Sequence, residues 1–291
     1  MKEKARKKSN QIKLLESLNC RCKLEYAKQQ YLINLKKGLE GEEVFDKWMD
    51  NYLGQDVTLL KDRLLSFNGS TAQIDALLFI GNTLRLYEVK NYEGDYQQHS
   101  GHFRTSKGQE FICPSIQLKR AEKVLQQVVG QWTHTLEIKS YVIFVNLAFT
   151  LYDATRSNPF ILPTQIKNHF ERLKSIGDKT SKNNNQFINK LMLETKSSGK
   201  YRGTTQEYDY EEFRKGLICS ECYSFNLIRS QRKATCRDCG EHYSIDQLLM
   251  NQIDEVHLLF PEIKVTSSLV YDWIGGEINK RRIGRLLKTL A

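Results

Sequence analysis

The chain has 291 residues, 40% hydrophobic and 27% charged, with 17 glycines and four prolines. That composition supports a packed core and excludes a disordered or low-complexity chain. Lys and Arg outnumber Asp and Glu by 44 to 34, a net charge of +10, which favours polyanionic partners, nucleic acid before an anionic membrane surface. No apolar run approaches the roughly 20 residues that span a bilayer. The basic opening from Met1 to Lys8 has no apolar core behind it, so neither membrane insertion nor secretion is expected and the cytoplasm is the expected compartment.

Along the chain, residues 1–37 read as one long basic helix, with Ile12, Leu15, Leu18, Cys22 and Tyr26 at helical spacing and no breaker before Gly38. A second helix is expected over residues 38–53. The pattern then changes to strands, from Val57 to Leu60, from Gln73 to Ile80 and from Thr83 to Asn91, with Gly81-Asn82 as a two-residue hairpin turn. Gly94, Gly101 and Gly108 mark short strands or loops. Pro114 opens a helix through Val129, Ser140 to Asn146 is a buried strand, and Phe160 to Leu162 precede a helix from Pro163 to Ile176. The expected divisions are a basic helix (1–37), an α/β domain (38–176), a polar linker (177–206) with a short helix near Phe187 to Leu193, a cysteine module (207–243) and a helical tail (244–291). No internal repeat is visible.

The hairpin register carries the first chemistry. If Ile80 faces Thr83 across the turn, Asp75 faces Glu88 and Gln73 faces Lys90, and all four share a face with Leu77, Phe79, Leu84 and Leu86. Two carboxylates directly opposite one another repel, and such a pair persists when a divalent cation or a proton lies between them. Mg²⁺ uses one or two carboxylates with waters and phosphate oxygens, and Lys90 can orient water or stabilise charge on a phosphate. The bland alternative is a surface Asp/Glu/Lys cluster with a Glu–Lys ion pair. Against it, the opposite face (Ile74, Ala76, Leu78, Ile80) is also apolar, which makes the strands central and the charges costly. On helical wheels Glu42 falls inside the apolar arc of Val44, Phe45, Trp48, Met49, Tyr52 and Leu53, and Gln117 falls inside that of Leu118, Ala121, Val124 and Leu125. Either residue could instead lie in a first turn open to solvent.

Four motifs in order, Lys37-Gly38-Leu39-Glu40-Gly41-Glu42, Gln73-Ile74-Asp75, Glu88-Val89-Lys90-Asn91-Tyr92-Glu93-Gly94 and Pro114-Ser115-Ile116-Gln117, resemble the nuclease-related (NERD) domain of the PD-(D/E)xK nuclease superfamily. The sequence departs from the strict superfamily pattern in having no proline before Asp75. The resemblance implies an α/β, restriction-endonuclease-like fold, a four-stranded mixed sheet flanked by helices. It also implies a catalytic set of Glu42, Asp75, Glu88 and Lys90, with Gln117 nearby.

Cys219 and Cys222, then Cys236 and Cys239 after 13 intervening residues, form two CxxC pairs with the spacing of a four-thiolate Zn²⁺ site. A zinc ribbon with one structural Zn²⁺ is expected. An odd total of seven cysteines excludes complete pairing as disulfides within the chain, and Cys20, Cys22 and Cys113 are expected to pack. Arg229, Arg232, Lys233 and Arg237 make the ribbon basic. The tail, a short helix, the Gly275-Gly276 turn and a second helix carrying Arg281, Arg282 and Arg285, resembles a helix-turn-helix; an ordinary amphipathic hairpin accounts for the same residues. The expected function is a metal-dependent nuclease or DNA-processing protein, with Mg²⁺ (or Mn²⁺) on Asp75 and Glu88 and nucleic acid, DNA first, held by Arg229, Arg232, Lys233, Arg281, Arg282 and Arg285. The alternative is a non-catalytic nucleic-acid-binding or regulatory protein built from the same modules.

Overall fold

The structure, a computed structural model, describes residues 6–54, 57–132, 136–176, 182–197 and 208–290. The chain divides into two units, one formed by residues 1–7 and 35–200, the other by 8–34 and 201–291. The single helix expected over residues 1–37 is two helices. The first, α1 (Asn10–Arg21), is capped by the Ser9 hydroxyl on the Ile12 amide, and the second, α2 (Tyr26–Leu53), continues through the helix expected from residue 38. Both are amphipathic, so apolar periodicity runs across the break and hides it.

The first unit is a mixed α/β assembly. Three antiparallel strands, β1 (Thr58–Phe67), β2 (Ser70–Ile80) and β3 (Thr83–Lys90), are followed by a small meander of β4 (Gly94–His99), β5 (His102–Thr105) and β6 (Glu110–Ile112). The helix α3 (Pro114–Gly130) leads into β7 (Glu137–Phe144), which lies parallel to β3. After β8 (Phe149–Tyr152) and β9 (Phe160–Ile161) come α4 (Ile166–Ile176), α5 (Lys182–Glu194) and β10 (Lys196–Ser197). The main sheet has the order β10-β1-β2-β3-β7-β9, six strands where four were expected, and β6-β5-β4-β8 form a second sheet. The extra strands are two-residue edges, too short to show alternation.

Both faces of β2 and β3 are apolar because both are covered. Leu77, Phe79, Leu84 and Leu86 pack with Leu118, Leu125 and Val128 of α3 and Ile188 and Leu191 of α5. Ala76, Leu78, Ile80, Tyr87 and Val89 pack with Phe45 and Met49 of α2 and Phe170 of α4. Thus residues 182–194 of the expected polar linker form a helix that contributes to the core; 177–181 and 198–206 lie outside the described residues.

The second unit gathers α1 and the zinc-ribbon strands β11 (Leu227–Arg229), β12 (Lys233–Cys236) and β13 (His242–Ser244) with α6 (Ile245–Leu259), α7 (Ser267–Trp273) and α8 (Lys280–Leu290). Its centre is a buried ion pair. Arg21 reaches Glu255 through two nitrogens at 2.8 and 2.7 Å, lies 4.1 Å over the Trp273 ring and donates to the Arg214 and Gly216 carbonyls, while the Trp273 indole donates to Glu255. A buried charge is tolerated only when paired and hydrogen-bonded in this way. It explains why the sequence around Arg21, read as a basic helix, packs against α6 in this unit.

Candidate active site

The predicted hairpin register is present. Ile80 pairs with Thr83 and the ladder runs to Ala76 and Tyr87, with Gly81 at φ 62° in the first turn position, which a II′ turn reserves for glycine. The ladder stops one pair short of the predicted Asp75–Glu88 opposition. There the Asp75 carboxylate accepts a hydrogen bond from the Val89 amide at 2.8 Å, a side chain taking the place of a ladder carbonyl. Gln73 does not meet Lys90; its amide donates to Asp62 on β1.

Glu88 is 3% exposed. Its Oε1 accepts from Lys90 Nζ at 2.7 Å, and Lys90 Nζ also donates to Gln117 Oε1 at 3.2 Å. Gln117 is exposed, yet it sits in the first turn of α3, where Pro114 starts the helix beside the end of β3, so its amide reaches the lysine. The structure therefore joins Glu88, Lys90 and Gln117 directly. Asp75 and Glu42 belong to the same electrostatic group: burial raises the Glu88 pKa to about 7, and Asp75 adds to that rise against the pull of Lys90. Burial, then Asp75, raises Glu42 to about 8, opposed by Arg6. Asp75 is raised by burial, with Lys90 and the Val89 amide opposing. For Lys90 burial acts to lower the pKa, but Glu88, Tyr92 and Asp75 together outweigh it and the ammonium is held above its ordinary value.

Glu42 is brought to this site by Gly41. A Cβ at Gly41 would lie 2.6 Å from Asn91 Cβ and 3.3 Å from Val145 Cγ2, so only glycine lets α2 cross the ends of β3 and β7 at this distance. The crossing is pinned by Asn91, which donates to the Lys37 carbonyl at 2.8 Å. Three further charged residues were not singled out from the sequence. Arg6 donates to Glu42 Oε2 at 2.5 Å, to both Asp46 oxygens and to the Asp75 carbonyl at 2.9 Å. Asp46 also pairs with Lys61 at 2.8 Å. The available signal was the i, i+4 spacing of Glu42 and Asp46, two acids on one helical stripe that call for a cation.

The donor set suits a hard divalent cation. Asp75 commits Oδ2 to Val89 and Glu88 commits Oε1 to Lys90, while the second oxygen of each has no hydrogen-bond partner among the described residues. The cysteines suit Zn²⁺. The Sγ atoms of Cys219, Cys222, Cys236 and Cys239 all lie within 4.8 Å of one another, and a tetrahedral Zn²⁺ with Zn–S near 2.3 Å sets sulfurs about 3.8 Å apart. Each CxxC closes a knuckle in which the next residue turns left-handed and donates its amide to the first cysteine's carbonyl. These are Tyr223 (φ 59°) to Cys219 and Gly240 (φ 77°) to Cys236. The Tyr243 hydroxyl lies 3.2 Å from Cys219 Sγ. Burial works against the Cys219 thiolate, but Tyr243 and the Cys222 and Glu221 backbone outweigh it and lower the thiol to about 7.

Of the expected nucleic-acid contacts, Arg232, Lys233, Arg281 and Arg285 are exposed. Arg229 is paired with Glu277 at 3.2 Å, and Arg282 with Asp246 at 2.7 Å and the Gln231 carbonyl; these two tie the ribbon and tail together. The expected helix–glycine turn–helix is present as α7, Gly275 and Gly276 at φ 68° and 74°, and α8. No described helix is long and apolar enough to cross a membrane.

Residues 37–145 match the nuclease-related domain family, a span that contains α2 from its motif glycines onward, the hairpin, α3 and β7. No curated protein and no solved structure matches the chain.

Proposed function

We propose that this chain, which carries a nuclease-related domain at residues 37–145, is a divalent-metal-dependent nuclease acting on nucleic acid, DNA before RNA. The observation that carries this reading is the convergence of Asp75, Glu88 and Lys90 where the β2–β3 ladder ends, with Gln117 on the lysine. Asp75 and Glu88 would hold Mg²⁺ or Mn²⁺, with Glu42 beside them. Such an ion supplies charge neutralisation at the phosphate and a more acidic bound water. Glu88 and Gln117 hold the Lys90 ammonium in place. Because Lys90 stays cationic, its part is to orient water and stabilise charge developing on the phosphate, not to remove a proton. The Val89 amide fixes the Asp75 carboxylate, so its free oxygen is already directed when substrate arrives.

The second unit supplies the grip in this proposal. Arg281, Arg285 and Lys288 recur at helical spacing on α8 and are exposed, as are Arg232 and Lys233 on the ribbon. The zinc site is closed by four cysteines, so Zn²⁺ is structural there.

The test is incubation of the purified chain with plasmid and oligonucleotide substrates in Mg²⁺, Mn²⁺ or EDTA, beside Asp75→Asn and Lys90→Ala. Metal-dependent cleavage lost in both folded variants supports the proposal. Tight binding without cleavage in any metal identifies a non-catalytic nucleic-acid-binding protein instead.

A further inference from the structure

Arg6 is placed unusually for a residue outside any helix or strand. Its side chain is 3% exposed and its guanidinium lies across two successive turns of α2, bonded to Glu42 and Asp46, with one further bond to the Asp75 carbonyl. Asp46 has a second cation in Lys61 at 2.8 Å, so the carboxylate for which Arg6 matters most is Glu42. Asp75 and Arg6 both act on that carboxylate, in opposite senses. The guanidinium thus supplies positive charge at the acidic margin of the site, from a short extended segment ahead of the Ser9 cap of α1.

We propose that Arg6 is an internal counter-ion of the nuclease-like site, and that the segment bearing it is an autoinhibitory strap that a divalent cation displaces. The inference rests on the assignment of Asp75 and Glu88 as a cation site with Glu42 beside it. A dication bound at Asp75 repels a guanidinium hydrogen-bonded to that residue's own carbonyl and competes with it for Glu42. Occupancy by one therefore weakens the other, and the linkage is reciprocal. Glu42 and Asp46 span one turn of α2 and suit the planar fork of arginine, which explains why arginine, with its five donors, occupies this place in a segment otherwise rich in lysine.

Two measurements on the full chain test the strap, both with zinc retained. Mn²⁺ titration followed by electron paramagnetic resonance of the free ion should show Arg6→Gln binding Mn²⁺ about tenfold more tightly than wild type, within the usual 5–150-fold range of coupling between sites. Arg6→Lys, which keeps the charge but cannot make the forked set of bonds, should lie between wild type and Arg6→Gln. In the wild-type protein, phenylglyoxal labelling of Arg6, read by peptide mass, should be slow without Mn²⁺ and several-fold faster with it, and Asp75→Asn should abolish the acceleration. The second arm decides the matter if Arg6→Gln fails to fold. Equal or weaker Mn²⁺ binding by a folded Arg6→Gln, absence of Mn²⁺ binding by either protein, or labelling unaffected by Mn²⁺ would overturn the strap. Cleavage is scored separately: Mn²⁺ behaving as described with no substrate cut leaves the strap standing and removes the nuclease assignment.

Discussion

The two glycines in the first motif of α2 provide a matched test of how the site is built. A Cβ at Gly38 would meet nothing within 4 Å, whereas one at Gly41 would lie 2.6 Å from Asn91 Cβ. Neither glycine has a positive φ, so Gly38→Ala and Gly41→Ala gain the same helix propensity, about 1 kcal/mol. They differ only in the collision. Carbon–carbon contacts settle at about 3.5–4.0 Å, so α2 must retreat from Asn91 by about 1 Å, and the atom it meets is next to the backbone. Overpacking of this kind typically costs about 1–3 kcal/mol. Urea denaturation should therefore place Gly38→Ala above wild type and Gly41→Ala about 1–3 kcal/mol below Gly38→Ala. The same retreat moves Glu42, so metal-dependent cleavage should fall by up to about 100-fold in Gly41→Ala and stay unchanged in Gly38→Ala. If Gly41→Ala is as stable as Gly38→Ala within about 0.5 kcal/mol, the scatter of ordinary surface changes, the close crossing is not what this glycine is for.

Metal analysis of the purified chain should find one tightly held Zn²⁺, and Cys219→Ser should lose it together with protease resistance in residues 216–243; a zinc-free, equally resistant wild-type protein would contradict the ribbon assignment. His169 bonds the Tyr87 hydroxyl at 2.8 Å, and burial lowers its pKa from 6.5 to about 4. Because the folded value lies below the unfolded one, its contribution is complete above pH 6.5 and is lost as pH falls toward 4, by at most about 3 kcal/mol. Wild type should therefore lose more stability than His169→Gln over that window in urea melts; parallel pH profiles would refute it. Replacing Arg281 and Arg285 with Gln should make the slope of log affinity against log salt shallower by about 1.8, at about 0.9 per phosphate. An unchanged slope would remove α8 from the nucleic-acid surface.

What could be read in advance depended on how local the cause was. The β2–β3 register follows from the position of a two-residue turn, contained in residues 73–91. The start of α3 follows from Pro114, and the ribbon from four cysteines. The α1–α2 break was not legible, because no glycine or proline marks residues 22–25 and the reason for the break is distant: Arg21 is tied to Glu255, 234 residues away. Likewise Arg6 looks like one more solvated cation until its partners, 36 to 69 residues on, are folded against it. Of α5 only the second half, near Phe187 to Leu193, was legible, since three asparagines in succession (Asn183, Asn184, Asn185) obscure its first turns and its place in the core.

The acidic residues of the site coincide with the place where regular strand pairing is given up, and one argument explains both. In β1–β2, Lys61 pairs with Ala76 and Arg63 with Ile74, but Asp62 and Asp75 between them are skipped, and Asp62 has a φ of 47°. In β2–β3 the ladder ends beside that same Asp75. A regular sheet would set Asp62, Asp75 and Glu88 in one row across three strands, with like charges a few ångströms apart and little water between them, which is the least favourable cross-strand arrangement. Departing from the ladder lets each carboxylate find a donor of its own: Gln73 for Asp62, the Val89 amide for Asp75 and Lys90 for Glu88. Left-handed backbone at a non-glycine residue costs about 1–3 kcal/mol and persists only where the surroundings impose it, and here the apolar layers on both faces of β2 do so. The sheet's core thus holds in place a cluster of negative charge that the sheet's own hydrogen bonding would not tolerate, and Arg6 lies at its margin, bonded to Glu42 and to the Asp75 carbonyl, where the proposed metal would add its charge.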